Sequence, residues 1–214
     1  ITRLRAAYKV PEGATKLRMT GGDGSHVMVA IVEQERLATM LKRLLDPDQF
    51  LSPHGIRSLS KHHEDHPYVY HVDGKDYSVG YLPAESRNRM FGGNSNWRGP
   101  IWMPMNFLFV QALNSYARFL GDKFTVPDPV GSGTQVTLGV VADHMASRLS
   151  GLVVRGDDGR RAVFGANDYF QNDPHWRDLV PFHEYFDGDD GHGVGASHQT
   201  GWTATIALLL QFGG

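Results

Sequence analysis

Pro104-Met105-Asn106-Phe107-Leu108-Phe109-Val110-Gln111-Ala112-Leu113-Asn114-Ser115-Tyr116-Ala117-Arg118-Phe119-Leu120-Gly121 is the stretch on which the fold reading turns. Phe107, Leu108, Val110, Leu113, Tyr116, Ala117 and Leu120 recur at three- and four-residue steps, the period of a helix that buries one face. Pro104 suits a first turn, where its missing N–H costs nothing. Gly121 suits the residue that ends the helix. The same rhythm returns on both sides. Leu37, Met40, Leu41, Leu44 and Leu45 predict a helix over about 33–45, stopped by Asp46-Pro47. Leu138, Val141, Ala142, Met145 and Leu149 predict another over about 137–149. A shorter one is expected over about 176–185, and a fifth over about 200–212 through Trp202, Ile206, Leu209 and Leu210. On this rhythm the chain reads as all-α, with a small β element near the N-terminus.

The chain has 214 residues, a length that suits one domain or half of a larger one. A formal charge of −2 gives no argument for a nucleic-acid backbone or an anionic membrane as partner. With no cysteine there is no disulfide framework, thiolate metal site or cysteine nucleophile. The 25 Gly and 11 Pro, with abundant aromatics, predict long structured loops between the helices. The stretch 50–100, with Pro53, Gly55, Pro67, Gly74, Gly80, Pro83, Gly92 and Gly93, has no sustained helical pattern. A loop region of that length is usually functional when ordered. Residues 1–30 carry turn signals at Pro11-Glu12-Gly13 and Gly21-Gly22-Asp23-Gly24 and read as extended or strand-like. Residues 31–214 read as the helical unit, with no linker dividing it. A start on Ile1 rather than Met is expected of a processed, trimmed or partial chain. Ile1 to Val10 has no apolar core of a signal peptide. The longest apolar run, Ile101 to Leu113, is too short to span a bilayer.

Several clusters carry candidate chemistry beside a plainer reading. His62-His63-Glu64-Asp65-His66, with His71 nearby, offers metal ligands but misses the His-Glu-x-x-His spacing; a solvated polar loop is the alternative. Asp187-Gly188-Asp189-Asp190-Gly191 resembles a calcium loop, yet Gly191 stands where a ligating side chain is needed, so a tight acidic turn is expected. Gly191-x-Gly193-x-x-Ala196 matches a dinucleotide fingerprint only formally, because acidic residues precede it instead of an apolar strand.

Three segments are more informative. Phe91-Gly92-Gly93-Asn94-Ser95-Asn96-Trp97-Arg98-Gly99-Pro100-Ile101-Trp102 sets two Trp, one Arg and two Asn at a helix entry. Aromatic faces stack on sugar C–H surfaces while amides and guanidinium groups bond the hydroxyls. A buried aromatic corner, with Arg98 tied to backbone carbonyls, explains the same residues equally well. Phe170-Gln171-Asn172-Asp173-Pro174-His175-Trp176-Arg177-Asp178 repeats the mixture. In Phe182-His183-Glu184-Tyr185-Phe186, followed by Ser197-His198-Gln199-Thr200-Gly201-Trp202, a carboxylate sits among aromatics. Such a group has a partner or a task; an exposed helix-end glutamate is the alternative.

Asn94-x-Asn96-Trp97-Arg98-Gly99-Pro100-Ile101-Trp102, then Glu184-Tyr185-Phe186, then His198-Gln199-Thr200-Gly201-Trp202 resemble the C-terminal half of glycoside hydrolase family 63 in order and spacing, over roughly residues 30–212. That family includes glucosidases that trim N-glycan precursors and bacterial relatives acting on α-glucosides and on mannosyl- or glucosylglycerate. The resemblance implies part of an (α/α)6 barrel that hydrolyses α-glycosidic bonds with inversion. It implies Glu184 as general base, with Asn96, Trp97, Arg98, Trp102, His198 and Trp202 lining the sugar subsites. No metal and no cofactor is expected. The family's general acid is an Asp well upstream of the Asn-x-Asn-Trp-Arg segment, and neither Glu12 nor Asp23 stands in a matching context. A twelve-helix barrel also needs well over 214 residues. The chain is therefore expected to be a fragment, inactive until the N-terminal half of the barrel is supplied.

The other readings are a non-catalytic carbohydrate-binding or structural module that keeps the aromatic platform, and, with less support, a metal-binding protein built on the His62–His71 cluster. The expected partner is an oligosaccharide or glycosyl-glycerate, with neither nucleic acid nor membrane involved. The expected location is cytoplasmic, on the missing cysteines and the lack of a visible signal.

Overall fold

The computed structural model describes residues 19–20, 27–28, 30, 32–87, 96–129 and 131–211. The turn signals at 11–13 and 21–24, the segment 91–95 and the C-terminal 212–214 lie outside the described residues.

In chain order, the strands β1 (Met19–Thr20) and β2 (Val27–Met28) precede helix α1 (Gln34–Leu44). Strands β3 (Leu51–Ser52) and β4 (Gly55–Ile56) follow, then a 3-10 turn at Lys61–Glu64 and the ribbon β5 (Tyr68–Val72) and β6 (Lys75–Val79). Helix α2 (Met103–Leu120), strands β7 (Thr125–Pro127) and β8 (Gln135–Thr137) and helix α3 (Leu138–Ser150) form the middle. Helix α4 (Asp168–Asn172), strands β9 (Tyr185–Phe186) and β10 (Gly193–Val194), and helices α5 (Thr200–Thr203) and α6 (Ile206–Leu210) complete the chain. Among the described residues, no helix is long and apolar enough to cross a membrane.

The three long helices arise where the periodicity put them. In α1, Leu37 and Leu41 are buried one turn apart, Glu35 lies in the first turn, and Lys42 and Arg43 lie in the last, matching the helix dipole at both ends. Helix α2 has Pro104 at its start and ends at Gly121, whose φ of +60° closes it. Thr137 caps α3 by accepting the Val140 N–H. The main core is the meeting of α2 and α3 with α6 and α1: Val110 and Leu113, then Val141, Met145 and Leu149, pack with Leu41 and Leu209.

The all-α expectation is overturned. Before and between the helices the described chain forms five two-stranded antiparallel ladders, so the domain is mixed α/β. Four of the five have strands of two or three residues, too short to show a period-two pattern. The fifth did carry a signal. Asp73-Gly74 joins β5 to β6 with both residues at positive φ, +49° and +71°, which is the turn chemistry of a tight hairpin. The helix expected over 176–185 is also absent. Pro181 interrupts that window and biases its neighbour to extended backbone, and Tyr185–Phe186 pairs as β9 instead. The C-terminal helix is two pieces, α5 and α6, parted at Ala204 and Thr205.

Met145 is fully buried where α3 meets the rest of the core. Met145→Ala is expected to cost about 2–5 kcal/mol. Thermal unfolding followed by circular dichroism would report it as a Tm drop of roughly 2–4 °C per kcal/mol.

Candidate functional site

Two distant segments are joined at the site by one backbone pair. The Ile101 N–H donates to the Phe186 carbonyl at 2.8 Å, and the Phe186 N–H donates back to Ile101 at 3.0 Å. This pairing sets the next residue of one segment, Trp102, against the previous residue of the other, Tyr185.

The result is a column of aromatic rings. Trp97 lies parallel to Trp102, with centroids 3.9 Å apart and planes 4° apart. Trp102 stacks on Tyr185 at 4.7 Å, and Trp202 meets Trp102 edge-on at 5.9 Å. Trp102 and Tyr185 are buried, whereas Trp97 is 48% exposed and forms the outer plane of the column. Burial, with the nearby carboxylates of Glu85 and Glu184, pushes the Tyr185 phenol up to about 12, so it stays protonated at neutral pH.

Asn96 and Arg98 lie beneath this column rather than on it. Asn96 is 1% exposed; its side-chain amide donates to the Leu82 and Ala84 carbonyls at 2.8 and 2.6 Å. Its side-chain oxygen accepts from the backbone N–H and the Nε of Arg98, both at 3.1 Å, and its backbone carbonyl accepts from Trp102 Nε1 at 3.0 Å. Arg98 Nη2 donates to Ser86 Oγ at 2.6 Å, and burial pulls the guanidinium below its usual pKa. These two side chains hold the loop that presents Trp97.

Glu184 is half-buried beside Tyr185. Its backbone N–H donates to Ala196 at 2.9 Å, and its Oε2 accepts the Ala196 N–H at 3.2 Å. Gly195, at φ +70°, makes this seat possible. A Cβ there would stand 2.8 Å from Glu184 Oε2 and 2.6 Å from the Tyr185 ring. His198 is exposed, stacks on Phe182 at 5.3 Å, and accepts the Phe182 N–H through Nδ1 at 3.2 Å. Trp97, Trp102 and Trp202 are thus joined by ring contacts through Trp102, Glu184 adjoins them through Tyr185, and the ring contact of His198 is with Phe182.

Sequence reasoning missed two parts of this assembly. Gly195 is one; it fell on an unspecified position of the Gly191-x-Gly193-x-x-Ala196 pattern and carried no signal of its own. The other is a buried polar knot of Arg57, Tyr81 and Asp189. Arg57 is 5% exposed and donates to Tyr81 Oη at 3.1 Å, to the Leu51 and Pro47 carbonyls at 2.5 and 3.3 Å, and to Asp189 Oδ1 at 3.2 Å. Asp189 Oδ1 also receives Tyr81 Oη and Lys61 Nζ, each at 3.0 Å. Burial opposes ionisation of Asp189, but these hydrogen bonds and the two cations prevail and its pKa falls. The knot binds the turn that joins β9 to β10.

Possible metal ligands come together elsewhere than in the histidine string. His62 and His66 stack on each other at 4.2 Å on an exposed turn, and His71 pairs with Asp76 at 2.5 Å. Among the described residues, the donor atoms of Asp187, Asp190 and His192 lie within 4.8 Å of one another. They are engaged in their own turn: Asp187 Oδ1 accepts the N–H groups of Asp189 and Asp190, and Asp190 Oδ1 accepts from the His192 backbone and faces its Nδ1 at 2.6 Å. This is the tight acidic turn the glycines implied.

Comparison with known sequences places the chain among glycoside hydrolase domains. Residues 25–203 match the mannosylglycerate hydrolase MGH1-like glycoside hydrolase domain, and the chain belongs to that family. It is 52% identical over 192 residues to the uncharacterised protein YMR196W of Saccharomyces cerevisiae, covering 89% of this chain and 18% of that protein. It is 27% identical over 176 residues to a probable mannosyl-oligosaccharide glucosidase of Schizosaccharomyces pombe and to the mannosyl-oligosaccharide glucosidase of Saccharomyces cerevisiae, covering 82% of this chain and 15% of each. The resemblance to family 63 processing glucosidases is borne out. The chain spans less than a fifth of the length of these relatives.

Gly195→Ala is expected to distort the site, because the added carbon meets both the Glu184 carboxylate and the Tyr185 ring at a backbone angle alanine resists. A loss of roughly 1–3 kcal/mol in chemical denaturation, with a changed near-ultraviolet signal from the tryptophan column, is the expected readout.

Proposed function

We propose that this domain is the general-base part of an inverting α-glycosidase acting on an α-glucoside or α-mannoside of an oligosaccharide or glycosyl-glycerate. The observation that carries the reading is the seat of Glu184: a half-buried carboxylate, oriented by the Ala196 N–H, beside a tryptophan column whose outer face is open. Trp97 would stack on the sugar, since an exposed indole face supported from below by Trp102 offers a rigid apolar plane. The Glu184 carboxylate would take a proton from the water that attacks the anomeric carbon. An inverting enzyme needs its second carboxyl about 6.5–9.5 Å away, on the far side of the sugar, to protonate the leaving oxygen. That acid, an Asp in family 63, has no matching context in this chain, so the chain alone is expected to be inactive. Asn96 and Arg98 would act on the sugar through the loop they hold.

In the full enzyme, Glu184→Gln is expected to lower kcat by about 10²–10⁴-fold while leaving substrate affinity within a few-fold. Proton NMR of the first-formed anomer would show inversion in the wild type. Turnover of the variant within a few-fold of wild type removes the base assignment; sugar binding with no turnover in the full enzyme favours a binding module. Trp97→Ala is expected to weaken sugar binding roughly tenfold by calorimetry, and unchanged affinity would make Trp97 structural.

A further inference from the structure

A cavity of about 510 Å³ lies outside the tryptophan column. Its size falls within the roughly 300–1,000 Å³ of small-molecule sites. One part of its wall is aromatic: Phe164 and Phe170 stack at 5.8 Å. Another part is polar, with Asn167, His183, Asp190, His192 and Ser197. No residue of the tryptophan column lines it.

The imidazoles are held in place by backbone. A Cβ at Gly193 would stand 2.2 Å from the His183 ring, and one at Gly165, at φ +51°, 2.8 Å from His192 Cβ. Only glycine at these positions lets the two histidines sit so close to the chain. His192 is held further by Asp190, which takes its backbone N–H at 2.9 Å and faces its Nδ1 at 2.6 Å. Burial, and then the neighbouring imidazoles of His192 and His198, keep His183 below its usual pKa, so its ring is neutral near pH 7.

The wall chemistry selects a ligand class. Among the described residues no Lys or Arg lines the cavity and one carboxylate, Asp190, does, so nothing there compensates a phosphate, sulfate or carboxylate. Hydroxyl, imidazole and amide groups both donate and accept, as sugar hydroxyls do, while the phenylalanine faces match sugar C–H surfaces. The cavity also adjoins the Glu184 segment. His183 directly precedes Glu184, and Ser197 follows Ala196, which pairs with Glu184 through both backbone groups and the carboxylate.

We propose that this cavity is a second sugar-binding site, taking a neutral hexose ring of the same substrate whose other ring stacks on Trp97. The proposal rests on the glycosidase reading above. It places one ring on each side of the chain segment that carries Glu184, so a disaccharide unit engages both sites and a monosaccharide glycoside engages the tryptophan column alone.

The test is calorimetric binding of methyl α-glucoside, methyl α-mannoside and a set of α-linked glucose and mannose disaccharides to the wild type and three variants. Ser197→Phe, at an exposed position, fills the cavity mouth, and His192→Ala removes a wall group. Trp97→Ala removes the column's outer plane. Circular dichroism confirms that each is folded. The best-bound disaccharide is expected to lose at least tenfold in affinity in Ser197→Phe and His192→Ala while the methyl glycoside stays within twofold; Trp97→Ala weakens both. Disaccharide affinity within twofold of wild type in both cavity variants, with the Trp97→Ala loss intact, overturns the second site and leaves the glycosidase reading standing. A wild type that binds neither class of probe overturns both.

Discussion

The antiparallel pair between Ile101 and Phe186 is the contact on which the site depends. It joins segments 85 residues apart in sequence through two backbone hydrogen bonds of 2.8 and 3.0 Å, with both side chains fully buried. Arg57 bridges to the other side of Ile101, so three stretches of chain meet at one residue. In such a narrow ladder a slip of one residue would turn every side chain to the wrong face. Trp102 would then miss Tyr185, and Glu184 would leave the column.

The polar knot secures the same junction from the far end of the β9–β10 hairpin. A buried guanidinium is costly unless its donors are used, and Arg57 uses them on Tyr81, Asp189 and two carbonyls. Its contribution is therefore specificity of arrangement more than stability. Gly188 marks how tightly the parts are drawn together, since a Cβ there would stand 2.4 Å from the Gly99 carbonyl and 2.7 Å from Tyr81 Oη. Asn106 performs a related service from α2. Its amide accepts the Ile56 N–H at 2.7 Å and donates to the Ile56 and Trp102 carbonyls, fixing β4 to the start of the helix below the column.

Division of labour within the Asn96 to Trp102 string follows from burial. The same residues could have been a sugar-binding set or a buried aromatic corner, and the structure shows the corner with the Trp97 indole left exposed on it. Asn96 and Arg98 are inside, engaged with Leu82, Ala84 and Ser86, while Trp97 between them is exposed. Neighbours in sequence thus serve opposite faces of one loop.

What the sequence by itself determined is the helical part and the kinship. Helices α1, α2 and α3 could be read because their apolar faces are long enough to repeat and their ends carry Pro104, Gly121 and Thr137 in the positions helix termini favour. The family was legible because the tryptophan and His-Gln-Thr-Gly-Trp strings are contiguous. Of the strands, β1 and β2 fall in the N-terminal stretch read as strand-like, and the Asp73-Gly74 turn marked β5 and β6; the others were not legible, because a ladder of two or three residues has no period and exists only through its partner. Nor were Gly195 or the Arg57–Tyr81–Asp189 knot. Their roles depend on what stands within a few ångströms in space, and Arg57 and Asp189 are 132 residues apart along the chain. Only the tertiary structure could decide that Asn96 and Arg98 support while Trp97 presents, since burial is a property of the packed chain and not of any residue in it.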